Sequence, residues 1–227
     1  MLDMRDVEWT TQLSSGVSTG VGIPHIKYSG DEALLTLDNK VYTNYVCWSE
    51  NFLSDGLSKM TLESLCKIMG LDMSKPVENF KALDLWNDYC YYCLLDFLII
   101  NRDRHGANIE VLIDNENKLK TVPPFDNGLC LIAPYQDDLK RASKIDYMEN
   151  FKGNSCLVTD RSLYTGLKNI GHTDIILNKI TKDLLYDNLF DDVMLKYLPH
   201  EEYAEIIVDI LWERYSYAER EKIFTAK

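Results

Sequence analysis

Asn101-Arg102-Asp103-Arg104-His105-Gly106-Ala107-Asn108, followed by Pro123-Pro124-Phe125-Asp126-Asn127-Gly128, is the part of the sequence that decides the fold. Asp103 and Asn108 stand five residues apart in one polar loop, and Asp126 leads a second short motif with Gly128 two positions on. Phosphoryl transfer from a nucleoside triphosphate calls for such a set. A carboxylate must sit beside the attacking hydroxyl to orient it and accept its proton, and hard oxygen ligands must hold Mg²⁺ against the phosphates. A D-x-x-x-x-N spacing alone arises often by chance. Its specificity comes from the order of parts: buried helix, D-x-x-x-x-N loop, hairpin, D-x-G.

The flanking sequence supplies that order. Upstream, a helix is expected from about Val77 or Leu83 to Asn101. Its apolar residues, Leu85, Trp86, Tyr89, Cys90, Cys93, Leu94, Phe97, Leu98 and Ile100, cover most of its circumference. A helix apolar all round belongs in the middle of a fold. Downstream, two short strands, Ile109–Ile113 and Lys118–Val122, are joined by the turn Asp114-Asn115-Glu116-Asn117. Pro123-Pro124 then forces extended backbone before Asp126.

With these motifs in place the sequence resembles the HipA-like kinases, including the small HipA-like Ser/Thr kinases of bacteria. The D-R-H-x-x-N and D-x-G motifs are also similar to those of phosphatidylinositol 3/4-kinases. Gly22-Ile23-Pro24-His25-Ile26-Lys27-Tyr28 and Cys47-Trp48-Ser49-Glu50-Asn51-Phe52-Leu53 resemble the approach to the HipA-like hinge. The resemblance covers roughly residues 8–130 well and the helical tail only loosely. It implies an ATP- and Mg²⁺-dependent phosphotransferase. Asp103 would orient the acceptor hydroxyl, His105 would order the catalytic loop, and Asn108 and Asp126 would hold Mg²⁺ at the nucleotide. His105 is expected to pack back on the loop or on Asp126. Arg102 and Arg104 are expected either to neutralise phosphate or to pair with nearby carboxylates, with pairing preferred for Arg104. Asn127 stands where D-F-G kinases carry Phe.

Towards the N-terminus the pattern departs from a full kinase small lobe. The first 20 residues read as a helix ending near Gly20-Val21-Gly22. Extended backbone follows from Pro24 to Tyr28, then two alternating segments, Ala33–Leu37 and Lys40–Cys47, with Asp38-Asn39 as the turn. No Gly-rich phosphate loop precedes the helix and no Lys precedes Lys27, although a kinase small lobe normally offers both, the Lys paired to a helix Glu. Glu8 is the candidate for that Glu. Such a chain is expected to anchor phosphates differently, to draw its first strands from a partner or an upstream segment, or to bind without turnover. Ser14-Ser15-Gly16 and Ser18-Thr19-Gly20 offer groups that could cradle phosphate, set against the plainer reading of an ordinary helix.

Residues 49–60 are polar and read as a linker. Thr61-x-Glu63 starts a helix that stops near Gly70. Residues 133–170 look irregular, and the tail reads as helices near Asp174–Leu185, Asp191–Tyr197 and Glu201–Phe224. Composition sets the outer limits. The 227 residues are 46% hydrophobic and 26% charged, which excludes a disordered or low-complexity chain. Lys and Arg total 24 against 36 Asp and Glu, a formal charge of −12 that disfavours nucleic acid and anionic membranes as partners. No apolar run is long enough to span a bilayer. Six cysteines that need not form a disulfide framework fit a reducing, cytoplasmic setting, and the one close pair, Cys90-x-x-Cys93, has no second pair at zinc spacing and reads as buried structural thiols. His172 and His200 lack partners at metal spacing, and Ser54, Ser58 and Ser143 lie in loops open to modification.

The expected fold is α+β and protein-kinase-like. A reduced N-terminal lobe, residues 1–55, holds a small antiparallel sheet and one helix, and a mostly helical C-terminal lobe spans residues 56–227. The expected function is ATP/Mg²⁺-dependent transfer to a protein Ser or Thr hydroxyl, with ATP and a protein substrate or regulatory partner as ligands. The alternatives are a pseudokinase or interaction module needing a partner for its small lobe, and a lipid-type kinase, which the acidic charge disfavours.

Overall fold

The computed structural model describes residues 5–37, 39–51 and 56–227. The Glu8 side chain, Asp38 and the hinge-like stretch 52–55, with Ser54, lie outside the described residues. Helix α1 (Arg5–Val21) buries Leu13, Val17 and Val21, spaced four apart on one stripe. It ends where Gly22 adopts φ 81° and the Ile23 amide closes back on the Ser18 carbonyl at 2.9 Å. Strands β1 (Tyr28–Leu37) and β2 (Lys40–Ser49) form an antiparallel hairpin in the register Leu37 opposite Lys40. Asn39 at φ 61° supplies the left-handed residue of its tight turn.

The expected linker 49–60 ends in a strand instead. β3 (Ser58–Thr61) pairs with β4 (Glu110–Ile113), which pairs in turn with β5 (Leu119–Thr121). A polar stretch becomes a strand here because its partner lies some 50 residues away, and Lys59 meets Glu110 across the pair at 2.7 Å. Thr61 also caps α2 (Leu62–Met69), its hydroxyl accepting from the Ser64 amide, and Gly70 at φ 66° terminates that helix as expected.

Of the two starts expected for the helix before the loop, Val77 and Leu83, the later one is close, because a separate helix precedes it. α3 (Pro76–Ala82) stops at Asp84, φ 57°, with the Asp84 amide donating to Lys81 and the Leu85 amide to Phe80. This left-handed closure is usually built on Gly; Asp serves because its short side chain tolerates the conformation. α4 (Trp86–Leu98) then runs through the centre, and every residue from Tyr92 to Leu98 is buried. The irregular region holds α5 (Leu139–Ala142) and α6 (Leu163–Ile170), and α6 packs on α4.

In the tail, the helix expected at 174–185 is replaced by β6 (Ile176–Leu177) and α7 (Lys182–Leu189). α8 (Asp192–Tyr197) and α9 (Glu202–Arg220) follow. α9 stops early because Lys222 turns left-handed at φ 56°, which sends β7 (Thr225–Ala226) back to pair in parallel with β6. Helices and small sheets together make the fold α+β. Among the described residues no helix is long and apolar enough to cross a membrane.

Candidate active site

The loop that carries Asp103 starts from a sharply closed helix end. Ile100 takes φ 52°, and the Asn101 amide donates back to the Asp96 carbonyl at 2.9 Å. A β-branched residue in that conformation is strained, at about 1–3 kcal/mol. Burial of Ile99 and Ile100 in the core holds it there. The closure turns the chain abruptly, so that Asn101 stays buried while Asp103 reaches the surface.

Beneath the loop lies a buried polar network. The Asp96 carboxylate, in the middle of apolar α4, faces the Arg104 guanidinium at 2.9 Å, with side chains 3% and 0% exposed. Arg104 also donates to the Phe125 carbonyl at 2.7 Å and to Asn127 Oδ1. Asn101 donates to Asp96 at 2.9 Å and its own Oδ1 accepts from the Asp103 amide at 3.1 Å. Burial works to lower the Arg104 pKa, but the Asp96 carboxylate outweighs it and the pKa rises. Arg104 thus bonds on both sides of Asp126 while its neighbour in sequence is Asp103. The preferred reading of Arg104 as a carboxylate partner holds. Asn127 proves to be a core hydrogen-bond acceptor, which is why a polar residue occupies the position after Asp126.

Around this network the four predicted site residues take distinct positions. Asp103 is half-exposed, and His105 sits beside it, Nε2 3.9 Å from Oδ2. The recorded partner of His105 is therefore the loop's own Asp103 rather than Asp126. Asn108 is buried and donates from Nδ2 to the Asp103 carbonyl at 2.9 Å, which commits the nitrogen and leaves the amide oxygen for a cation. Asp126 is exposed at φ 53°. Its backbone N–H meets the Tyr28 phenol, whose pKa burial raises. The segment is fastened further by Thr10, which donates to the Gly128 carbonyl at 2.7 Å, and by the Ile26 amide on Pro124 at 3.2 Å. A carboxylate and an amide oxygen are hard donors of the kind Mg²⁺ takes. Among the described residues no three His, Cys, Asp or Glu side chains cluster as a metal cage. Mg²⁺ at phosphate sites uses only one or two protein carboxylates and completes its shell elsewhere.

A strap from Asn150 to Cys156, unmarked by any sequence motif, crosses the loop. The Asn154 amide donates to the Arg102 carbonyl at 2.7 Å and the Cys156 amide to the Arg104 carbonyl at 2.9 Å. Arg214 of α9, fully buried, anchors the approach to the strap through the carbonyls of Tyr147 and Glu149 and joins it to Phe97 of α4, at 2.8–2.9 Å. Arg102 does not reach the site's front; its guanidinium lies 4.6 Å over the Phe151 ring.

The remaining candidates have structural employment. Ser14, Ser18 and Thr19 donate to carbonyls inside α1, and Ser15 accepts from the Tyr28 amide, in keeping with the plainer reading of an ordinary helix. Cys90 and Cys93 are buried free thiols, the former pushed up to about 11 by desolvation. His172 meets the Lys222 carbonyl and His200 stacks edge-on to Tyr203. A cleft of about 730 Å³ between α1 and α7 is lined by Ser15, Gly16, Thr19 and Gly20 and lies apart from Asp103, His105, Asn108 and Asp126. A second, of about 490 Å³, is lined by Trp48, Glu50, Asn51, Lys27 and Pro123, where the hairpin meets the segment leading to Asp126.

No protein-family model matches the chain, and no curated protein matches it in sequence. Among solved structures it is similar to the Helicobacter pylori proinflammatory kinase CtkA, with a TM-score of 0.56 and 20% identity, over 93% of this chain and 83% of that one. The fold is kinase-like. At that identity the likeness speaks for the architecture, in which the buried helix, the Asp103 loop, the β4–β5 hairpin and the Asp126 turn follow one another as the sequence order anticipates.

Proposed function

We propose that the protein is an ATP- and Mg²⁺-dependent phosphotransferase, HipA-like in type, acting on a Ser or Thr hydroxyl of a protein in a reducing, cytoplasmic setting. Residues 1–55 and 56–227 serve as its small and large lobes. One observation carries this reading. In a kinase-like fold, the buried Arg104 clamp ties the loop of Asp103 and Asn108 to the turn of Asp126, so the three groups that phosphoryl transfer requires share one rigid support.

Asp103 orients the acceptor hydroxyl and takes its proton as the acceptor oxygen bonds to the γ-phosphorus. The bond from that phosphorus to the bridging oxygen breaks and ADP departs. Asn108 and Asp126 would hold Mg²⁺, which would supply charge neutralisation on the phosphates. His105, beside Asp103 Oδ2, orders the loop rather than acting as the base.

The test is thermal unfolding with and without Mg²⁺–ATP. Nucleotide at about 100 times its Kd stabilises by about 2.7 kcal/mol, which raises Tm by roughly 5–10 °C for a domain of this size. Asp126→Asn is expected to abolish the Mg²⁺-dependent shift. Asp103→Ala is expected to keep the shift and lose phosphate transfer. A wild-type chain that shows neither shift nor transfer refutes the reading.

A further inference from the structure

We infer that Asn154 is a positioning residue for Asp103, presented by the strap 150–156. The inference rests on the proposed phosphotransfer. Asn154 Nδ2 donates to Asp103 Oδ1 at 3.2 Å, across 51 residues of sequence. That bond occupies one carboxylate oxygen and fixes the plane of the carboxylate, so the other oxygen, Oδ2, faces the acceptor hydroxyl. His105 Nε2 lies on that same side, at 3.9 Å.

The surroundings show a built contact rather than a passing one. Backbone bonds from Asn154 to Arg102 and from Cys156 to Arg104 hold the strap on either side of Asp103. The approach is so close that a Cβ on Gly153 would lie 2.5 Å from the Arg102 carbonyl oxygen, a collision with backbone that cannot rotate away. On its far side the strap is held by the Gly153 amide on the Arg161 carbonyl at 3.1 Å and by Ser162, which donates to Asn150 at 2.6 Å. Asn154 itself is exposed, so burial does not hold its side chain, which bonds to Asp103.

The bond is exposed and 3.2 Å long, so it orients the carboxylate more than it stabilises the fold, and its loss should act on turnover rather than on nucleotide binding. The experiment compares wild type, Asn154→Ala and Asn154→Asp for Mg²⁺–ATP thermal shift, for autophosphorylation and for transfer to dephosphorylated casein. Asn154→Ala is expected to lower kcat at least tenfold, with KM for ATP and the thermal shift unchanged. Asn154→Asp keeps the shape but puts two carboxylates in contact. Its activity should fall further still, again in kcat rather than in KM for ATP. A residue with a merely structural role would instead lower Tm or the thermal shift and leave kcat per folded enzyme unchanged. Wild-type activity with an Asn154→Ala variant of equal or higher kcat overturns the inference and leaves the phosphotransfer reading standing. A wild type with no shift and no transfer overturns both.

Discussion

Two buried arginines hold the site, and they are held differently. Arg104 meets a carboxylate, Asp96, and its pKa rises despite burial. Arg214 bonds only to the backbone carbonyls of Phe97, Tyr147 and Glu149, with the Phe97 ring 4.7 Å away, and burial lowers its pKa to about 10. The first clamp joins the two motif segments, whereas the second joins the approach of the strap to the central helix. A buried cation opposite a carboxylate forms a unit whose halves cannot be removed singly. A buried cation among carbonyls is a fastener whose removal exposes dipoles but no charge.

Three outcomes test that contrast. The largest effect is expected from Arg104→Met, which strands the Asp96 carboxylate in the core and costs about 3–5 kcal/mol. Adding Asp96→Leu should recover much of the stability in urea denaturation without restoring the Asp126 turn or phosphate transfer. If the double variant is no more stable than the single one, the pair is not a unit. Arg214→Met should cost less, about 1–3 kcal/mol, because only carbonyls lose their partner. Amide exchange should quicken in 147–156 while the Mg²⁺–ATP shift persists. Equal losses for the two arginines would erase the distinction.

The smallest effect concerns a core group that stays neutral instead of being paired. Cys90, in α4, has its pKa raised from 9.0 to about 11, first by desolvation. A raised folded-state pKa means that the contribution is complete below pH 9 and is lost as pH rises towards 11. At pH 10 it amounts to about 1 kcal/mol. Urea midpoints at pH 7.5 and pH 10 should therefore differ less in Cys90→Ala than in wild type, and equal differences would show that the thiol titrates freely.

How far the sequence could be read depended on which residue closes each element. The stop at Gly70 was visible because glycine marks a left-handed closure. The equivalent closures at Asp84 and Lys222 were not, so the start of the helix before the loop stayed open between Val77 and Leu83 and α9 was drawn too long. The pairing of β3 with β4 was hidden for another reason: its register is set by a strand far along the chain. Within the candidate site, spacing marked Asp103, Asn108 and Asp126, and the family resemblance marked His105. Asp96 is visible in the sequence only as a carboxylate between the apolar pairs Leu94-Leu95 and Phe97-Leu98. Asn154 leaves no trace, since nothing local distinguishes it from other loop asparagines.

The sequence by itself determined the order of parts: a buried helix, a D-x-x-x-x-N loop, a hairpin and a D-x-G turn. Periodicity, turn residues and short spacings are properties of neighbours in the chain, and they can be read from the chain. The tertiary structure decided which side of that loop faces inward, which arginine takes a carboxylate and which takes carbonyls, and that Asn154 arrives at Asp103 across 51 residues. Those choices depend on desolvation and on close approach between distant segments, and both exist only once the chain has folded.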